Sequence, residues 1–275
     1  PDHLGEHGID VVAPVTGVGQ NLSDHTSAAL AFRRKSGGPF QKHMRLDRVG
    51  IALARAYMGK GGFASDLPFG ITAFLKSAAE ATAPDVQLLF WMGATTTASP
   101  WLPPFKKAFA DSFSVRAMPM HPISRGKVKL ASANPGDALQ IHQNFLSTDE
   151  EWQVMRRGLR MIRDLVASPA LKDFAGEELT PGATAQTDAA LDAHVRKTMT
   201  TVHHPVGTCK MGGDDDAAAV VDGHLRVRGV ENLRVVDASV MPDLIGGATN
   251  APVIMIAEKA ADMIRDRTLL PAAAI

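Results

Sequence analysis

The chain has 275 residues, 45% hydrophobic and 21% charged, which suits a globular protein with one large domain or two modest ones. Lysine plus arginine equals aspartate plus glutamate at 29 each, so there is no basic footprint for nucleic acid or anionic lipid. One cysteine, Cys209, excludes an internal disulfide; no Cys/His cluster has zinc-ligand spacing, and no apolar run is long enough for a transmembrane helix. This cysteine usage favours a reducing, cytoplasmic compartment, although a disulfide-free periplasmic protein would look the same.

In chain order, residues 9–13 (IDVVA) form an apolar run ending at Pro14, which predicts a strand entering a turn. The GVG at 17–19 falls short of a dinucleotide fingerprint, because Leu22 stands where a third glycine belongs. Residues 26–32 predict a strand. Residues 36–70, rich in glycine and mixed in polarity, predict a long excursion or lid with a helix near 46–58. Segments 85–91, 112–120, 127–131 and 139–145 are four further strands, and the short connections among the later ones favour antiparallel neighbours. An antiparallel sheet is therefore expected in the middle of the chain.

Residues 148–167 predict an amphipathic helix. Thr148 and Glu151 have capping-box spacing, and Trp152, Met155, Leu159, Ile162 and Val166 recur on one face as core. A second helix is predicted over 188–199. After a boundary near 196–202 the texture changes to short β-branched runs at 219–221, 225–227 and 233–236, then a last helix over 251–267.

Two clusters can carry chemistry. In His203-His204-Pro205-Val206-Gly207, a histidine sits on a loop that proline and glycine shape, and histidine is the side chain that titrates near neutrality. Residue chemistry alone leaves two readings open, a proton-transfer group or a structural or exposed histidine pair; a metal site is poorly supported. In the second cluster a predicted strand ends at Asp237, and Thr249 or Asn250 can cap the last helix with Pro252 in its first turn. The open N–H groups of such a helix end can hold an anion or simply be capped.

The segments HHPVGTCKMGG (203–213), VVDGHLRVRGVENLRVVDASVMP (220–242) and NAPVIMIAEKAADMI (250–264) strongly resemble the glucose–methanol–choline (GMC) oxidoreductase family. HGIDVVAPVTGVGQNLSDH (7–25), HPISRGKVKLASANP (121–135) and QNFLSTDEE (143–151) continue the resemblance, which runs from end to end. It implies an α+β and α/β architecture: an antiparallel-sheet substrate domain over 26–196, with 1–25 and 197–275 forming the C-terminal part of an FAD-binding domain. It implies FAD-dependent oxidation of a small-molecule alcohol by hydride transfer to the flavin, with no metal. His204 corresponds to the family's catalytic histidine and Asn250 to its partner. Asp237, Ala238, Asn250, Ala251 and Pro252 correspond to cofactor-binding positions.

The family's N-terminal GxGxxG unit is not in this sequence, and the chain opens in mid-pattern on Pro1. The expectation is therefore a fragment, a processed half or one subunit of a split enzyme, whose N-terminal FAD-binding portion comes from the same precursor or a second subunit. The tail resembles the bacterial choline- and alcohol-dehydrogenase branches. A cofactor-free scaffold that kept the fold is the alternative, and a serine hydrolase is disfavoured because no G-x-S-x-G occurs.

Overall fold

Strand-like alternation between residues 26 and 119 builds most of the main sheet, and helices lie both within that span and after it. Along the chain the principal elements are α1 (Asp2–Glu6), β1 (Thr26–Arg34), α2 (Pro39–His43), α3 (Leu46–Tyr57), β2 (Phe69–Leu75), β3 (Val86–Met92), β4 (Ser112–Pro119), β5 (Lys127–Lys129), β6 (Gln140–His142), α4 (Asp149–Val166), β7 (Ala175–Thr180), α5 (Asp188–Thr198) and α6 (Asn250–Ile264). The computed structural model describes residues 1–65, 69–93, 98–268 and 270. By contact they form two units, one of Pro1–His25, Met120–Glu151 and Thr201–Ile275, the other of Thr26–Pro119 and Trp152–Thr200.

The sheet of the second unit runs β2-β3-β4-β1-β7, with every neighbouring pair antiparallel. Leu30 lies opposite Val115, Phe32 opposite Phe113 and Leu88 opposite Ala117. These residues share one face of the pleat, where Leu30, Leu88, Val115 and Ala117 have no exposed surface. Helix α4 covers that face with the fully buried Met155, Leu159 and Ile162. A Cβ on Gly158 would lie 2.9 Å from a Val86 methyl and 3.0 Å from the Ala117 Cβ, so glycine is what lets the helix approach this closely. Each buried leucine contributes about 1.5–3 kcal/mol relative to leaving it exposed.

Ion pairs lock the surrounding elements. Arg156 grips Asp192 of α5 with two 2.7 Å bonds, which hold the Asp192 carboxyl below the usual carboxylate range. Arg163 makes the same kind of pair with Glu178 of β7, at 2.9 and 2.8 Å. The opposite face of the sheet, with Ala29, Leu89 and Arg116, stays half-buried. The expected lid resolves into α2 and α3, and no residue of either is buried. Residues 66–68 of that expectation lie outside the described residues.

The first unit has less regular structure than the sequence predicts. Residues 9–13 are not a strand; Val11 and Val12 are exposed, Val12 at 87%, and no ladder takes them up. The runs at 219–221, 225–227 and 233–236 make single bridges only, Met211 with Val221, Val221 with Val227 and Arg226 with Arg234. Left-handed residues at Leu225, Gly229 and Asn232 reverse the chain every few residues, too soon for a ladder to grow. The glycines at 17 and 19 answer to close packing: a Cβ would sit 2.1 Å from Ala218 O and 2.3 Å from Val128 O.

Residues Met120–Glu151, expected in the middle domain, group with the first unit. Leu22 and Gly126 exchange backbone hydrogen bonds of 3.1 and 2.7 Å that tie them there. The capping box also forms in this unit. Glu151 N–H donates to Thr148 Oγ1 at 3.4 Å, and Glu151 Oε2 accepts from Thr148 N–H at 3.3 Å. The buried carboxylate also accepts the N–H groups of Ile123 and Ser124 at 3.1 and 3.0 Å, so one helix cap clamps a second segment.

Candidate active site

The loop from His203 to Gly213 is shaped by two left-handed residues, His203 at φ 65° and Gly207 at φ 93°. A Cβ on Gly207 would lie 2.4 Å from Asn21 O, so the position admits only glycine. The turn sends the two histidines different ways. His203 is exposed, its N–H bonded to Thr201 Oγ1 at 2.9 Å; His204 is half-buried, its N–H donating to Asp24 Oδ1 at 2.9 Å. The other Asp24 oxygen accepts from the Thr201 hydroxyl at 2.5 Å. Ser23 and Val206 exchange backbone bonds of 3.0 and 2.8 Å, which stitches residues 23–25 to this loop.

That stitching delivers a residue the sequence reading did not assign a role. His25 is completely buried, with Nε2 3.0 Å from Met120 O and Nδ1 3.0 Å from His204 Nδ1. The two rings meet edge to face, centroids 5.3 Å apart. Burial pushes His25 below the ordinary histidine value, and His204 adds to that, while the bond to Met120 and the Asp24 charge oppose it. Burial also lowers His204, with Asp24 opposing and His203 reinforcing. Both rings are therefore neutral near pH 7, the state a proton acceptor requires. His204 Nε2 has no hydrogen-bond partner among the described residues.

The remaining sequence-predicted residues lie downstream of the same loop. Cys209 N–H bonds to Ser239 O at 2.9 Å and Met211 N–H to Val240 O at 2.8 Å, so the loop runs along residues 238–240. Asp237 is exposed and caps the short 3₁₀ turn Ala238–Val240 by accepting from Ser239 N–H at 2.8 Å; it does not end a strand. Val206, Met241 and Leu244 form an apolar cluster with Ala238, Val253 and Ile256, which brings the histidine loop and the first turns of α6 onto one core. Asn250 and Ala251 are exposed in the first turn of α6, with Pro252 half-buried beside them. Thr249 precedes the helix without a side-chain cap bond, so the first N–H groups of α6 stay open to a ligand. Among the described residues no group of three His, Cys, Asp or Glu side chains is placed to hold a metal.

The GMC oxidoreductase family model matches residues 122–257. Oxygen-dependent choline dehydrogenase 1 of Chromohalobacter salexigens is 39% identical across all of this chain and 48% of its own length. The oxygen-dependent choline dehydrogenase of Vibrio vulnificus is 38% identical across 98% of this chain and 47% of its own. Among solved structures, a variant of Aspergillus oryzae formate oxidase superposes with a TM-score of 0.81 at 26% identity, over 96% of this chain and 50% of that one. Pyridoxine 4-oxidase from Mesorbium loti superposes with a TM-score of 0.76 at 25% identity, over 98% and 47%. The chain belongs to the GMC oxidoreductase family. It spans about half the length of the curated relatives it matches.

Proposed function

We propose that this chain is the C-terminal half of an FAD-dependent alcohol oxidoreductase and supplies its proton acceptor, His204, together with Asn250. The observation that carries the reading is His204 itself. It is a neutral, half-buried imidazole, fixed through its backbone by Asp24 and through Nδ1 by His25, with Nε2 left without a protein partner. His204 would take the hydroxyl proton of the alcohol, and the exposed Asn250 amide would orient the alcohol oxygen.

The residues present fit part of a flavin site. The uncapped first turn of α6 offers the N–H groups of Asn250 and Ala251 to an anionic ring or phosphate, and its dipole favours negative charge there. Asp237, Ala238 and Pro252 would complete this side, and an N-terminal portion, from the same precursor or a second subunit, would supply the rest. FAD, when bound, provides the hydride acceptor.

In this reading the first unit belongs to the cofactor side and the sheet of the second unit to the substrate side. The names of the relatives make choline the first substrate to try.

Flavin reduction, followed anaerobically in the flavin-loaded holoenzyme mixed with choline or a simple primary alcohol, tests the reading. His204→Ala should slow it by roughly 10²–10⁴-fold. An unchanged rate removes His204 from the chemistry. A complete protein, with its N-terminal portion present, that stays colourless and ignores added FAD would favour the scaffold instead.

A further inference from the structure

We propose that His25 is a positioning residue that selects the tautomer of His204 able to act as a base. The proposal rests on the reading of His204 as proton acceptor and adds what makes its Nε2 the accepting atom.

A carbonyl oxygen can only accept, so the 3.0 Å contact with Met120 O requires His25 Nε2 to carry a proton and donate it. A neutral His25 protonated at Nε2 has a bare Nδ1. That Nδ1 lies 3.0 Å from His204 Nδ1, and one of the two nitrogens must hold the shared proton. His25 has none left to give there, so His204 carries it. A neutral His204 protonated at Nδ1 is bare at Nε2, the nitrogen with no partner among the described residues. One backbone carbonyl thus fixes two tautomers in succession, and the second leaves a lone pair free for an alcohol proton.

The same geometry supports the product of that transfer. When the alcohol O–H bond breaks and the proton joins His204 Nε2, the bonding electrons remain on the alcohol oxygen and His204 becomes an imidazolium. Its Nδ1–H still points at a bare nitrogen, and the bond becomes charge-assisted. The proton stays on His204. Asp24, 4% exposed and bonded to the His204 N–H, is the carboxylate that faces the new charge.

A proton gained by His25 reverses the arrangement. Both its nitrogens would then donate, Nδ1–H would face His204 Nδ1, and His204 would be driven to carry its proton at Nε2, which closes the base. The acid limb of the reaction is thus a property of the pair, set in the field of Asp24, His121 and His203.

The test has a spectroscopic arm and a kinetic arm, both on the flavin-loaded holoenzyme. With nitrogen-isotope-labelled histidine, long-range nitrogen–proton NMR should show His204 protonated at Nδ1 and bare at Nε2 above the titration of the pair. His25→Asn places an amide oxygen where Nδ1 stood but gives up the bond to Met120 O, and it should retain more of that tautomer and of the flavin-reduction rate than a substitution with no acceptor. His25→Leu removes the acceptor. It should shift His204 toward the Nε2–H form, move the acid limb of the rate profile and slow reduction by roughly 10–100-fold at unchanged KM, the usual effect of a lost supporting group.

A parent spectrum with His204 protonated at Nε2 overturns the proposal without need of any variant. So does a His25→Leu protein whose tautomer and pH profile match the parent. An unaffected His204→Ala rate would instead sink the functional reading, while the NMR result would still decide the tautomer.

Discussion

In the unit of Thr26–Pro119 and Trp152–Thr200, the apolar face of β1, β3 and β4 meets α4, and Leu30, Leu88, Val115, Met155 and Leu159 lose almost all their surface. The unit that holds the histidines is organised differently. Val12, Leu233, Ile254 and Met255 remain exposed there, and its extended runs make single bridges. What orders that unit is a set of hydrogen-bonded loops turned by left-handed residues. Burial secures the sheet, whereas backbone geometry secures the histidine loop. The two units should therefore fail in different ways.

The largest expected effect falls on the sheet. Leu159→Ala should lower stability by about 2–5 kcal/mol through loss of contacts and the cavity left behind, read as an earlier denaturant midpoint for the sheet unit. The loop contacts around His204 should be intact at denaturant levels below that transition, and their concurrent loss would erase the distinction between the units. Gly207→Ala should cost about 1–3 kcal/mol for a side chain held at positive φ, with a larger penalty on flavin reduction than on sheet stability. Equal losses in both would mean that the loop is not a separate device.

Acid sharpens the comparison further. His25 and His204 hold their folded values below the ordinary 6.5, so below about pH 6.5 the unfolded chain binds protons that the folded unit refuses. Their contribution is intact above that pH and falls as pH drops toward the folded values. Urea unfolding between pH 8 and 5.5 should show this weakening, and His25→Asn should reduce it. The smallest effect is expected from Met255→Ser on the exposed side of α6, within about 0.5 kcal/mol in this chain. A large loss would show that the surface is packed after all.

Much of this was legible in the sequence where local pattern and final environment agree. The Thr148–Glu151 spacing forecast a cap that forms, and the helical recurrence of Met155, Leu159 and Ile162 forecast the covered face. β7 was missed because AGEELT has weak strand chemistry; pairing with β1 and the Arg163–Glu178 ion pair hold it in place. Residues 9–13 and 219–236 misled in the opposite sense, since apolar β-branched runs became strands on paper but lack ladder partners. The His-Pro-x-Gly pattern marked a shaped loop but did not tell the two histidines apart; the family resemblance alone pointed to His204. His25 and Asp24 gave no such sign, because their chemistry arises only when burial brings residues 179 and 180 positions apart together.

That separation bears on the order in which a ribosome can complete the molecule. Among the described residues the sheet has six strands, the last of them the short Thr200–Thr201 beside β1, and all six, with helices α4 and α5, have been synthesised by Thr201, before either residue of the His203-His204 pair has been added. His25 must wait for its partner until a further 179 residues have been added, and closing so long a loop carries an entropic cost that a local helix or hairpin does not meet. A nascent chain stopped just short of His204 would hold the complete roster of sheet strands with the buried His25 still lacking its ring partner, so the histidine pair is added only after the sheet's strands.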